Sequence, residues 1–245
     1  MISYAVIPAR YASSRFPGKP LALLAGKPIL QHVWERASRS KLFNDVIIAT
    51  DDLKISSVAQ DFGAVVMLTD SSLPSGTDRV AAVAEYLEEE SVILNIQGDE
   101  PLISIEALTA LLQSFKDEAV MMASLMTPFE NDEDITNPNM VKVVTDSLQN
   151  AIYFSRCPIP YNRDKDPDCR YFRHIGVYGF RHPALMRFVS LPVGKLEAIE
   201  KLEQLRALEN SIPIRMTITN YKGIGIDTPE DLKKVSAALA KGKSL

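Results

Sequence analysis

Short apolar runs recur along the first half of the chain, at residues 5–7, 45–50, 64–68, 92–97 and 120–125, and stretches of helical spacing separate most of them. That alternation is the strongest constraint on what the chain can fold into. A strand followed by a helix returns to its sheet in the same direction, so the pattern predicts an α/β fold: a mainly parallel sheet with helices on both faces. The helical stretches carry their own start signals. Lys27-Pro28 precedes Ile29, Leu30, Val33 and Ala37 at helical spacing. Asp51-Asp52 precedes Ile55, Val58, Ala59 and Phe62, and helix capping explains that acidic pair better than a metal does. Ser104 caps a helix over residues 105–115.

The character changes near residue 140. Residues 141–145, 151–155 and 174–180 read as strands with little helix between them. We therefore expect one domain over 1–245 in three parts. Residues 1–130 form the main α/β part, 140–210 an antiparallel insertion, and 211–245 a return to the core. In the strand 174–180, alternation puts His174, Gly176, Tyr178 and Phe180 on one face. His174 and Tyr178 then lie about 13 Å apart over a glycine floor. That gap suits a polar, sugar-sized ligand; the same residues also suit a core His and Tyr. Residues 197–209 read as one helix with Ile199, Leu202, Leu205 and Leu208 as its buried stripe.

The residues that can carry chemistry sit at loop positions. The loop after the first strand holds Arg10, Arg15 and Lys19 among small residues, a composition that fits an anion such as a polyphosphate. Ser75-Gly76-Thr77 opens a helix that Ser75 or Thr77 can cap, and Gly76 would let a flat ligand edge approach. Asp99 follows the strand 92–97 directly. At the carboxyl end of a parallel strand it faces the same edge as the first loop, where a hard oxygen ligand suits Mg²⁺ bound with a nucleotide phosphate. Gly98-Asp99-Glu100-Pro101 is also ordinary turn chemistry. Thr228 and Asp231 resemble a capping box with Pro229 at the first helical position, and Asp227 stands just outside it.

Composition narrows the partners. The formal net charge of −4 argues against nucleic acid or an anionic membrane as bulk partner, so the positive first loop is a local feature. The two cysteines lack CxxC spacing, and no signal peptide or long apolar run is present, which predicts reduced thiols in a cytoplasmic protein with no membrane insertion. The first loop has neither a GxGxxG nor a Walker GxxxxGK[ST] pattern.

Pro8-Ala-Arg10, Ser14-Arg15 and Phe16-Pro-Gly-Lys19-Pro together resemble the N-terminal signature of the sugar-acid cytidylyltransferases, and Asn95-Ile-Gln-Gly-Asp-Glu-Pro101 resembles that family's internal motif. Phe154-Ser-Arg156, Arg173-His174 and Leu202-Glu-Gln-Leu-Arg206 are similar to the branch that activates 3-deoxy-manno-octulosonate (Kdo). These motifs run from residue 4 to residue 231. The resemblance implies a Rossmann-like sheet of the nucleotide-diphospho-sugar transferase type, and transfer of CMP from CTP to a 3-deoxy-2-ketoaldonic acid for lipopolysaccharide synthesis. The acid would be Kdo or a close analogue such as 8-amino-Kdo. It implies nucleotide contacts at Ala9, Arg10, Arg15, Lys19, Ser75, Gly76, Arg79 and Gln97. Sugar-acid contacts fall on Gln97, Arg156, His174, Tyr178, Glu203 and Gln204. Asp99 and Asp227 become Mg²⁺ ligands, Arg10 and Lys19 act on the triphosphate, and the insertion makes a homodimer.

Two departures from the pattern lie beside the sugar-acid region. The segment between Pro160 and Arg173 is short, and Pro192-Val-Gly-Lys195 stands where a Ser-Pro pair is common. Both bear on substrate choice more than on the reaction. The alternatives are a sialic-acid-type or other sugar nucleotidyltransferase, and, from a different class, a non-catalytic nucleotide sensor.

Overall fold

The structure is a computed structural model that describes residues 1–12, 16–130, 133–223 and 225–240. In chain order the elements begin with β1 (Ser3–Ala9), a small ribbon of β2 (Leu23–Leu24) and β3 (Lys27–Pro28), α1 (Ile29–Arg39) and β4 (Asp45–Thr50). Next come α2 (Leu53–Asp61), β5 (Val65–Leu68), α3 (Gly76–Ala84), β6 (Val92–Asn95), α4 (Ile105–Gln113) and β7 (Met122–Pro128). The later elements are β8 (Lys142–Thr145), β9 (Ala151–Ser155), β10 (Phe172–Arg181), α5 (His182–Ser190), α6 (Lys195–Glu200), α7 (Leu205–Glu209), β11 (Ile214–Ile218) and α8 (Pro229–Ala240).

Most of these elements match the periodicity. Ile29, Leu30, Val33 and Ala37 are the buried face of α1. Asp52 caps α2 by accepting from the Lys54 and Ile55 amides, and Ser75 caps α3 in a reciprocal box with Asp78.

The main sheet runs β11-β7-β10-β6-β1-β4-β5. β1, β4, β5 and β6 pair in parallel, and so do β7 and β11. β10 runs antiparallel between β6 and β7, while β8 and β9 extend antiparallel from β10. The expected α/β class is therefore present, but the span 140–210 is not a separate layer, because its longest strand lies inside the main sheet.

Apolar residues fill both faces. Side chains from α1, α2 and α4 pack with Ala5, Ile7 and Leu94 on one face; α3, α5 and α7 pack with Val6 and Ile93 on the other. A smaller cluster of Leu24, Ile29, Leu102, Ile226 and Val235 ties α8 back onto the first loop and so places Asp227. Among the described residues, no helix is long and apolar enough to cross a membrane.

Close packing around β10 gives a first expected result. A Cβ on Gly179 would lie 2.5 Å from Phe115 Cε2 and 2.9 Å from Cζ. Phe115 is buried in the core and has little room to move. Gly179→Ala should cost about 1–3 kcal/mol, read as a lower denaturant midpoint at unchanged slope. An unchanged midpoint would show that the ring can give way.

Two expectations need correction. The stretch 197–209 is not one helix. Lys201 adopts a left-handed conformation with φ 55°, and α6 and α7 flank a break at 201–204. Ile199 is 78% exposed rather than part of a buried stripe. The pieces are held together by a fork, with Arg206 Nε 2.9 Å from Glu197 Oε2 and its NH2 group 2.6 Å from Oε1. The second correction concerns β10. Ile175 pairs with Leu125 and Tyr178 with Ser124, so β10 advances three residues while β7 advances one. This bulge brings the His174 and Tyr178 ring centroids to 5.4 Å, and the expected gap between them is closed.

Candidate active site

β1 and β6 are parallel neighbours, so Arg10 and the segment 96–101 leave the sheet at one edge. β10 reaches the same edge from the opposite direction: Tyr178 pairs with Asn95, and His174 lies farther toward that edge. The loop after β11 returns there too, where the Ile226 amide donates to the Asp99 carbonyl at 2.9 Å. Gly98 permits a close backbone approach, since a Cβ there would sit 3.0 Å from the Pro8 carbonyl oxygen.

Three charged side chains meet at this edge. Lys19 Nζ lies 2.6 Å from Asp99 Oδ2 and 3.2 Å from Asp227 Oδ1. Burial pulls the Lys19 ammonium down, but the two carboxylates outweigh it and hold the group above its ordinary value. Two carboxylates converging on one cation form a donor set that suits a hard metal ion. Among the described residues no third His, Cys, Asp or Glu completes such a set, so a metal here would take further oxygens from a ligand.

Glu100 stands next to them and is hydrogen bonded by the Tyr221 hydroxyl. Burial first, then the Asp99 and Asp227 charges, push its carboxyl up to about 7 against the opposing effects of Tyr221 and Arg173.

The remaining residues expected to meet a nucleotide are distributed unevenly. Arg10 donates to the carbonyls of Leu73, Pro74 (3.4 Å) and Ser75 (3.0 Å), clamping the first loop to the start of α3. Ala9 is buried at the end of β1, and Gly76 packs on Pro8. Arg79 is fully buried, bonded to Thr69 and paired with Asp51 at 2.9 Å, so its guanidinium braces the floor rather than facing the edge. Gln97 donates to Asn95 Oδ1 at 3.4 Å. Arg15 lies outside the described residues.

The residues expected to meet a sugar acid form a second group. His174 is hydrogen bonded through Nε2 to Ser124 Oγ at 2.9 Å, and the Gln204 amide nitrogen is 3.5 Å from its Nδ1. Burial pushes this imidazole down to about 3, so the ring is neutral. Burial, and then the nearby Glu203 carboxylate, push the Tyr178 phenol well above its ordinary value. Glu203 accepts from Thr77 Oγ1 at 2.6 Å, which joins the helix break to the start of α3. A cavity of about 780 Å³ lies beside them, lined in part by Ser75, Asp78, Leu191, Leu202, Glu203 and Arg206.

Arg156 does not present a fork to this group. Its guanidinium donates to the carbonyls of Glu200 (2.7 Å), Pro138 (2.8 Å) and Lys201 (3.3 Å).

A cytidylyltransferase family model matches residues 4–218. The chain belongs to the cytidylyltransferase family. It is 47% identical to the 3-deoxy-manno-octulosonate cytidylyltransferase of Thermodesulfovibrio yellowstonii, over 98% of each chain. It is 51% identical to the protein of that name from Solibacter usitatus, over 94% of this chain and 92% of the other. A solved CMP:2-keto-3-deoxy-manno-octonic acid synthetase complexed with CTP superposes with a TM-score of 0.94 at 40% identity, covering 99% of this chain and all of that one.

Within this cytidylyltransferase the sequence reading overlooked three side chains of the site. Thr77 was visible only as a possible cap, yet its hydroxyl engages Glu203. Asn95 is fully buried and donates to Thr77 Oγ1 at 3.3 Å; a polar residue inside an apolar run was the available signal. Ser124 is also fully buried in a strand, and the same signal applied to it.

Proposed function

We propose that this cytidylyltransferase transfers CMP from CTP to a 3-deoxy-2-ketoaldonic acid, Kdo or a close analogue such as 8-amino-Kdo, and releases pyrophosphate. The observation that carries the reading is the direct pairing of β10 with β6. It brings the Tyr178 and His174 end of β10 to the edge that holds Lys19, Asp99 and Asp227, and Gln204 and Glu203 join that end through His174 and Thr77. The names of the relatives support the choice of acid.

The sugar's anomeric hydroxyl oxygen forms a bond to the α-phosphorus. The bond from that phosphorus to the bridging oxygen breaks, pyrophosphate leaves with the electron pair, and the hydroxyl proton passes to solvent water. Lys19, Arg10 and Arg15 counter the charge that grows on the departing pyrophosphate. For Arg10 this means exchanging carbonyl partners for phosphate oxygens. Asp99 and Asp227 would hold Mg²⁺, which would supply positive charge to neutralise the phosphates. Ser75, Gly76 and Gln97 line the nucleotide, with Arg79 bracing them from below. Gln97 also reaches toward the sugar acid. Arg156 holds the helix break in place and meets the acid only if it gives up a carbonyl.

We further read the protein as a cytoplasmic homodimer built through residues 140–210, where Leu148, Ile152 and Tyr161 are exposed.

The test is pyrophosphate release from CTP with Kdo, 8-amino-Kdo and sialic acid in parallel. Release with either Kdo compound and not with sialic acid is expected, and none with any acid would sink the reading. His174→Ala should weaken sugar-acid use by at least about tenfold while CTP binding stays nearly constant, because a substrate group loses its buried partner. Equal losses for both ligands would assign His174 to the fold instead.

A further inference from the structure

Ser124 Oγ sits at the centre of the β10 bulge. It lies 2.9 Å from the Val177 carbonyl, 3.2 Å from the Ile175 carbonyl and 2.9 Å from His174 Nε2. The side chain is fully buried, so no solvent competes for these positions. A hydroxyl has one proton and two lone pairs, whereas a carbonyl oxygen can only accept. If Ser124 gave its proton to the imidazole, both carbonyls would lose this donor. All the contacts are satisfied together only when Ser124 donates to the backbone and accepts from an Nε2–H.

We propose that Ser124 is a positioning residue of the sugar-acid site, which fixes His174 as its Nε2–H tautomer and thereby sets which atom of Gln204 faces the ring. The proposal rests on the reading of His174 and Gln204 as sugar-acid ligands given above. With Nε2 protonated, Nδ1 carries a lone pair, and only the amide nitrogen of Gln204 can complement it. That nitrogen is the atom placed 3.5 Å away. A directed chain results: Gln204 donates to His174, His174 to Ser124, and Ser124 to the bulge carbonyls. The amide is thereby orientated, and its oxygen lies on the side away from the ring, as an acceptor for a sugar hydroxyl.

The ring has little freedom to escape this arrangement. Phe154 meets it edge-on at 4.9 Å between centroids and Tyr178 lies against it at 5.4 Å. Burial, which keeps the imidazole neutral, is consistent with the single-proton chain.

The tautomer is directly observable in long-range ¹H–¹⁵N correlation spectra of the intact ¹⁵N-labelled protein at mildly alkaline pH. The chain has three histidines, and the other two are internal references. His32 Nε2 lies 2.7 Å from the Leu24 carbonyl and His182 Nε2 3.0 Å from the Ala84 carbonyl, so each must carry its proton on Nε2. His174 should show the same pattern, and its signals are assigned by their loss in His174→Gln.

Ser124→Ala should turn the His174 pattern into a mixture. It should raise the KM for Kdo about fivefold or more and leave the KM for CTP unchanged. Ser124→Thr keeps the hydroxyl and should keep both the pattern and the KM. An Nδ1–H pattern at His174 in the unaltered protein would overturn the proposal without any variant. So would a Ser124→Ala protein in which both the pattern and the Kdo KM are unmoved. If Ser124→Ala moves the pattern but not the KM, and His174→Ala is equally silent, then His174 is no sugar-acid ligand. In that case the positioning role falls with it and the tautomer assignment stands.

Discussion

Asp99→Asn is expected to lower turnover at least about a hundredfold in a protein that stays folded. The substitution keeps the shape of the side chain and removes only its charge. The backbone bond from the Ile226 amide to the residue 99 carbonyl is untouched, so the Asp227 loop keeps its anchor. What is lost is half of the carboxylate pair that already holds one cation. Charge stabilisation of that kind contributes several kcal/mol to a phosphoryl transfer, and each 1.36 kcal/mol is about tenfold in rate. Turnover at saturating CTP, Kdo and Mg²⁺, together with an unfolding midpoint, decides the matter. Near-normal turnover in the variant would remove Asp99 from the site.

Lys19→Met should cut kcat by about a hundredfold with a smaller change in the KM for CTP. In the proposed reaction the ammonium meets the charge that grows on the pyrophosphate, so its contribution would be greater in the transition state than in the bound substrate. A rise in KM alone would make Lys19 a uniform binder. A second readout does not depend on turnover. Without the ammonium, Asp99 and Asp227 lose the cation that bridges them, so the melting temperature in divalent-free buffer should fall by a few degrees and recover when Mg²⁺ is added. Lys19 is held above the ordinary lysine value of 10.5, so its contribution to stability is fully present at neutral pH. It is lost only as the pH rises through that raised value. Comparing the variant with the unaltered protein at neutral pH therefore reads the whole effect.

How far the sequence revealed this site depended on how local each cause was. Asp99 could be singled out because a carboxylate after a buried parallel strand has one edge to face, whereas Asp227 was singled out by the family resemblance, its place just before the Thr228–Asp231 cap being only compatible with it. Capping by Asp52, Ser75 and Ser104 involves neighbours a few residues away, and those readings hold.

The β10 bulge was not legible, because alternation assumes one residue per partner residue. The two extra residues are accommodated by Ser124, on another strand about fifty positions earlier, whose hydroxyl bonds both the Ile175 and Val177 carbonyls. The break at Lys201 was hidden for the same reason. The stretch has helical spacing, and the contacts around its break are tertiary: Thr77 engages Glu203, and Arg156 binds the Glu200 and Lys201 carbonyls. Arg79 looked available for a ligand because nothing nearby in sequence announces Asp51, 28 positions away, as its partner.

The central position of β10 also bears on how the chain is made. A ribosome delivers β1, β4, β5 and β6 first, and these four can pair in parallel as they emerge. β6 then has an open flank, because its other neighbour is β10, which ends at Arg181. β7 arrives earlier than β10 and cannot take its final place until β10 has been inserted between it and β6. Well over two-thirds of the polypeptide must therefore be synthesised before the sheet can close. Until then the nascent chain exposes a strand edge as rich in apolar residues as Val92-Ile-Leu, the kind of surface that recruits chaperones or pairs with the wrong partner. A truncation before residue 178 removes every β10 residue that pairs with β6 and leaves that edge open permanently. It would also remove Tyr178, Glu203, Gln204 and Asp227 together.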